Sequence, residues 1–143
     1  MKNLFLLFTI AALLVSCNNE DHKNPGISRP GFSGRWELEH MPGYSQTVEL
    51  LYTSGKPWLN IDSSAGTFTG FTGCNTMSGS IEVPDSIRIQ ITKEKTTEKA
   101  CAGDAEAAFL HALAQVQFFH WQGPDSLWLL RENRVVLRFV RKM

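Results

Sequence analysis

The chain is poor in the features that announce most functions. Its 14 basic and 14 acidic residues balance, so nucleic-acid binding through a broad basic field is not expected. It holds only four histidines and three cysteines. No histidine stands at ligand spacing from Cys74 or Cys101, which leaves a metal site with little support, and no cofactor is expected. No apolar run reaches the roughly 20 residues that a membrane-spanning helix needs. The longest, residues 4–15, is interrupted by Thr9 and gives way to Asn18, Asn19, Glu20 and Asp21.

That short run has another reading. Lys2 supplies a positive start, the apolar stretch follows, and Ser16 is a small residue at its end, which is the layout of a secretory signal. Leu14-Val15-Ser16-Cys17 resembles the lipobox of bacterial lipoproteins. The resemblance implies a signal peptide over residues 1–16 and a mature chain that begins at Cys17, with lipid on its thiol and its freed amine. An ordinary signal peptide with a chance cysteine is the alternative. At about 0.8 kcal/mol per buried methylene, two or three acyl chains hold a protein on a bilayer almost permanently. No Asp follows Cys17 directly, so an outer-membrane position is expected, on its periplasmic face or on the cell surface. Glu20 and Asp21 resemble surface-export signals.

With Cys17 set aside for lipid, Cys74 and Cys101 remain in a compartment outside the cytoplasm. An even pair there reads first as a disulfide. Such a bridge would stabilise the fold by roughly 3 to 4 kcal/mol on the chain-entropy account. Two free thiols, or two members of a metal site, are the alternatives.

Residues 17–33 carry Asn, Gly, Pro and Ser with little periodicity and read as a flexible tether. The domain is expected over 34–143. Short segments of strand character recur at 35–39, 47–52, 58–62, 67–72, 78–83 and 86–92, spaced as in antiparallel meanders. In the last of these, Ile87, Ile89 and Ile91 alternate with polar residues. Asp104 stands where it can cap a helix over about 104–117, whose apolar stripe includes Ala105, Phe109 and Leu113. Strands resume at 118–121 and 127–130, and a closing strand follows around Val135, Leu137 and Phe139. The expectation is a mainly β (α+β) domain: an antiparallel, open or cracked barrel-like sheet with one helix.

Gly70-Phe71-Thr72-Gly73-Cys74-Asn75, then Gly79, and later Thr96-Thr97 with Cys101 and a helix bearing Glu106, resemble the META domain, or HslJ-like, family. Trp36-Glu37-Leu38, Pro57 to Ile61 and Leu127-Trp128-Leu129 agree with its strands, while Ile81 stands where an aromatic is more typical. The resemblance covers about residues 34–140. It implies that Gly73, Cys74, Asn75, Gly79, Thr96, Thr97 and Cys101 are structural or ligand-facing. On the residues themselves, Asn75 can bond its own backbone to hold a turn, and Thr96 and Thr97 can do the same beside Cys101. The family is associated with heat shock and drug tolerance, and in parasites with virulence, without an agreed reaction. Its fold is similar to that of a lipid-binding pilot protein of secretion systems, an analogy of fold only.

An enzyme would need a nucleophile with a base, or paired carboxylates. His22 lies in the tether, His40 at a strand end, His111 on the wet side of the helix, and His120 among aromatics. The basic residues Arg131, Arg134, Arg138, Arg141 and Lys142 fit the wet face and end of a strand, with an anion-binding patch as the alternative. The surplus of aromatics, Trp58, Phe68, Phe71, Phe118, Trp121 and Trp128, fits packing or an apolar cavity. The reading is therefore a non-catalytic, monomeric, lipid-anchored envelope protein that binds an apolar molecule. The alternatives are a pilot-like assembly factor bound to an envelope protein and, with less support, a thiol-redox or hydrolytic enzyme.

Overall fold

The computed structural model describes residues 31–143. The expected signal peptide, Cys17, His22 and most of the expected tether fall outside the described residues. In chain order the elements are β1 (Gly34–His40), α1 (Val48–Leu51), β2 (Trp58–Asp62), β3 (Thr67–Phe71), β4 (Thr76–Glu82), β5 (Gln90–Thr96), α2 (Ala105–Ala114), β6 (Phe118–Trp121), β7 (Ser126–Arg131) and β8 (Arg134–Lys142). Among the described residues no helix is long and apolar enough to cross a membrane.

Alternation builds the strands. Trp36 and Leu38 of β1 are fully buried, as are Leu129 of β7 and Leu137 and Phe139 of β8, while their neighbours point outward. The eight strands form one antiparallel sheet in the order β5-β4-β3-β2-β1-β8-β7-β6. Two meanders thus meet where the first strand pairs with the last, Trp36 opposite Arg141 and Leu38 opposite Phe139. The sheet curls without closing along its length. Its edges are stitched where Arg88 faces Phe118, with Ile89 N–H donating to Gln117 O (3.0 Å) and Phe119 N–H to Ile87 O (2.9 Å). This is the mainly β, open barrel-like fold that the strand pattern predicts.

Helix α2 covers the interior with Phe109 and Leu113, and the Phe109 ring meets Phe139 edge-on at 6.4 Å between centroids. Among the described residues, twenty buried apolar side chains pack there as one continuous cluster. Each large one contributes about 1.5–3 kcal/mol by leaving water.

The structure corrects four expectations. Residues 47–52 form a helical turn rather than a strand. Tyr52 N–H bonds Val48 O at 3.0 Å, so Val48 and Tyr52 both face the core and Leu50 is left 68% exposed. Among the described residues there are therefore two helices, not one. The strand expected over 86–92 instead begins at Gln90 and runs to Thr96. Before it, the Asp85 carboxylate accepts the Ile87 and Arg88 amides at 3.0 and 2.8 Å, holding a turn that buries Ile89 and exposes Ile87. Helix α2 ends at Ala114, because Gln117 must extend to bond Leu130 and Ile89, and Asp104 makes no side-chain cap bond. Finally, the packed domain begins before Gly34. Phe32 is buried against Phe119 and Trp121 and its carbonyl accepts the Trp36 indole N–H at 2.8 Å, so Phe32 belongs to the core.

Candidate functional site

The loop between β3 and β4 is a tight turn made by Thr72, Gly73, Cys74 and Asn75. Thr72 Oγ1 accepts the Asn75 amide at 2.8 Å, and the Thr72 amide donates to Asn75 O, also at 2.8 Å. Gly73 sits at φ +97°, and a Cβ there would lie 2.2 Å from the Tyr52 ring, so the position admits only glycine. Thr72 thus holds the turn. The Asn75 side chain, expected to bond its own backbone, reaches across to other segments instead.

Its amide group spans two further segments. Oδ1 accepts the Thr97 hydroxyl and the Lys99 amide, each at 2.8 Å. Nδ2 donates to Lys99 O at 3.2 Å and to the Glu106 carboxylate at 3.0 and 3.2 Å. The Thr72 hydroxyl donates to the same carboxylate. Thr97 also accepts the Thr76 amide at 3.1 Å, tying the loop to the end of β5. Asn75 is 3% exposed, and a buried amide left unsatisfied would cost about 1–3 kcal/mol.

Cys74 and Cys101 are joined by a disulfide, with their Cα atoms 6.0 Å apart. The bridge closes over this network, with Asn75 Nδ2 at 3.1 Å and a Glu106 oxygen at 2.6 Å from Cys101 Sγ. The two sulfurs and the Glu106 carboxylate lie within 4.8 Å of one another. With the sulfurs bonded to each other this grouping offers no thiolate, and a metal needs the free thiolates.

The family model of the META domain matches residues 31–143. The chain belongs to the META domain family. Two solved structures share the fold of this META domain. The NMR structure of a protein from Burkholderia xenovorans is 24% identical, with a TM-score of 0.61, covering 84% of this chain and 89% of the other. A DUF4847 family protein from Bacteroides vulgatus is 16% identical, with a TM-score of 0.54, covering 77% and 93%. No curated protein matches.

Of the residues singled out in the sequence, the META domain brings Gly73, Cys74, Asn75, Thr97 and Cys101 together. Gly79 and Thr96 lie elsewhere. A Cβ on Gly79 would fall 1.9 Å from Thr92 O, so Gly79 serves the close approach of β4 and β5 at a register shift. Thr96 faces the same side of the sheet as its partner Met77, and its buried hydroxyl has no hydrogen-bond partner. The sequence pattern does not reveal the roles of Thr72, Glu106 and Tyr52. Burial raises the Tyr52 phenol well above its usual range, helped by Tyr44 and the Glu106 charge. It therefore stays protonated and donates to Ala105 O at 2.8 Å, fixing the first turn of α2.

Among the described residues the histidines make no contact with this network. His111 is exposed and shares a 2.8 Å hydrogen bond with Gln115, and His120 lies against Trp128 at 6.2 Å between rings. A separate concave feature lies on the outer face of β2 to β5. It is a cleft of about 380 Å³ between Trp58 and Lys95, floored by Thr69 and Ser78 and bounded by Thr76, Thr96 and Thr97.

Proposed function

We propose that this META domain protein is a non-catalytic binding module of the cell envelope, lipid-anchored through Cys17 at the outer membrane, whose ligand or partner meets the outer surface of the barrel. The observation that carries the reading is the interior. It is occupied by the protein's own twenty-residue apolar cluster, sealed by Phe109 and Leu113. This favours a surface binder over the carrier of an enclosed apolar molecule.

The motif supports a structural part in the same reading. The side chains of Thr72, Asn75, Thr97 and Glu106 bond to one another or to nearby backbone, so they hold the scaffold rather than await a substrate. A rigid, disulfide-stapled domain on a lipid anchor suits recognition in an oxidising compartment. A part in envelope stress or drug tolerance is the process the family suggests.

Native mass spectrometry of the mature protein extracted from membranes tests this. We expect a mass increase from acylation at Cys17, abolished by Cys17→Ala, and no further lipid. Uptake of an added fatty acid into the domain would overturn the surface-binding reading. Protease shaving of whole cells then separates the periplasmic face from the cell surface.

A further inference from the structure

The sheet register lines up outward-facing side chains of β1 to β5 in rows. One row runs Arg35, Asn60, Thr69, Ser78, Lys95. The next runs Glu37, Trp58, Phe71, Thr76, and Thr97 continues it through its amide bond to Thr76 O. The cleft of about 380 Å³ lies along these rows, at the small end of the roughly 300–1,000 Å³ typical of small-molecule sites. The register shift between Ser78 and Gly79 bends the sheet beside it.

Three properties define what fits. Trp58 is half-buried and supplies an apolar wall, with the Arg35 guanidinium 4.1 Å from its ring. The floor is hydroxyl-bearing, from Thr69 and Ser78, with the Thr76 and Thr97 side chains at its margin. Among the described residues no carboxylate forms an ion pair with Arg35 or Lys95, whereas Glu37 is already engaged by Lys56 and Lys142. The first row therefore has a cation at each end and only neutral polar side chains between them. A concave space of about 380 Å³ suits a small molecule rather than the broad patch of a protein interface.

We propose that this cleft binds an acidic saccharide. The C–H face of a sugar ring lies on Trp58, its hydroxyls exchange hydrogen bonds with Thr69 and Ser78, and a carboxylate or phosphate on the sugar meets Lys95, with Arg35 at the far end. This rests on the surface-binding reading above and names its ligand class.

Calorimetry and amide NMR on the mature, lipidated protein in detergent test it. The probes are a linear oligouronate, a phosphorylated mannan oligosaccharide, a neutral glucan of equal length, and inorganic phosphate. We expect at least one acidic saccharide to bind about tenfold or more tighter than the glucan and than phosphate, shifting the amides of Thr69, Ser78 and Lys95. Trp58→Ala and Lys95→Glu should each weaken it by about tenfold or more, with the melting temperature and disulfide retained. Trp128→Ala, in the other meander, should leave it unchanged. Absence of binding by both acidic saccharides, equal binding of glucan or phosphate, or indifference to both cleft variants would overturn the proposal. A photo-crosslinking residue at Ser78 in cells separates the two levels of the argument. Polysaccharide adducts support the saccharide, and protein adducts alone overturn it while the surface-binding reading stands. No adduct at Ser78 overturns the cleft as the site, and fatty-acid uptake into the domain independently removes the surface reading.

Discussion

Asn75 and Glu106, 31 residues apart in the chain, are joined by hydrogen bonds of 3.0 and 3.2 Å from one amide nitrogen to both carboxylate oxygens. This pair couples the β3–β4 turn to the first turn of the only long helix among the described residues. The Cys74–Cys101 bridge lies against it, so covalent and polar links act on the same two segments.

Asn75→Ala should therefore destabilise the domain by about 1–3 kcal/mol, because it removes the bonds that the buried Asn75 amide makes to Thr97, Lys99 and the half-buried Glu106 carboxylate. Asn75→Asp should cost at least as much, since it sets a second carboxylate against Glu106. Thr96→Val provides the contrast, removing a buried hydroxyl that has no partner, and should leave stability equal or slightly raised. Urea unfolding of the three variants measures the differences. Comparable losses for Asn75→Ala and Thr96→Val would refute the network.

Opening the disulfide should remove about 3 to 4 kcal/mol, from the entropy of a denatured chain freed of a cross-link between residues 27 apart. The double variant Cys74→Ser, Cys101→Ser and the reduced wild type should melt together, both below the oxidised protein. Intact mass after alkylation without reductant should show neither cysteine labelled. Labelling of both would refute the bridge in the native protein.

Gly73→Ala should be among the most damaging single methyl additions in the chain. The position combines φ +97° with a Cβ 2.2 Å from the Tyr52 ring. Gly103→Ala also has positive φ but meets nothing within 4 Å, so its cost should stay near the roughly 1–2 kcal/mol of backbone strain alone. Thermal melts of both variants compare the steric part with the conformational part. Equal shifts would mean that Tyr52 moves aside freely.

Much of the fold is legible in the sequence, and for physical reasons. The strand read at 58–62 coincides with β2 because Leu59 and Ile61 are buried between outward neighbours, which is the period-2 signal itself. Helix α1 escapes because four residues are too few to show a helical period, and Val48 and Leu50 imitate a strand. Phe32 escapes because one aromatic in a polar stretch has no period at all, yet it closes the core beside Trp121. The motif residues stand out together, but the hub roles of Thr72 and Glu106 depend on contacts 34 residues apart that only the folded chain creates. Glu106 carries a partial signal, lying five residues after Cys101 in the first helical turn, where an acid reads simply as favourable to the helix dipole.

Asp85 gives a prediction with a defined pH window. The Ile87 amide, then the Arg88 amide, then the Arg88 side chain lower its carboxyl from an ordinary value near 3.8 to about 2. The folded-state value lies below the unfolded one, so the interaction is fully present above about pH 4 and is lost as pH falls toward 2. Asp85 holds the turn that delivers Ile87 and Ile89 to Gln117 and Phe119 at the barrel seam. Acidification through this window should therefore loosen the seam before the body of the sheet. Hydrogen exchange at the Ile89 and Phe119 amides should accelerate relative to those of Leu38 and Leu137 as the pH drops from about 4 to 2, after correction for intrinsic rates. In Asp85→Asn the same two amides should already exchange faster at neutral pH, with little further change across the window. If they kept wild-type protection and pH response in that variant, some group other than Asp85 would govern the seam.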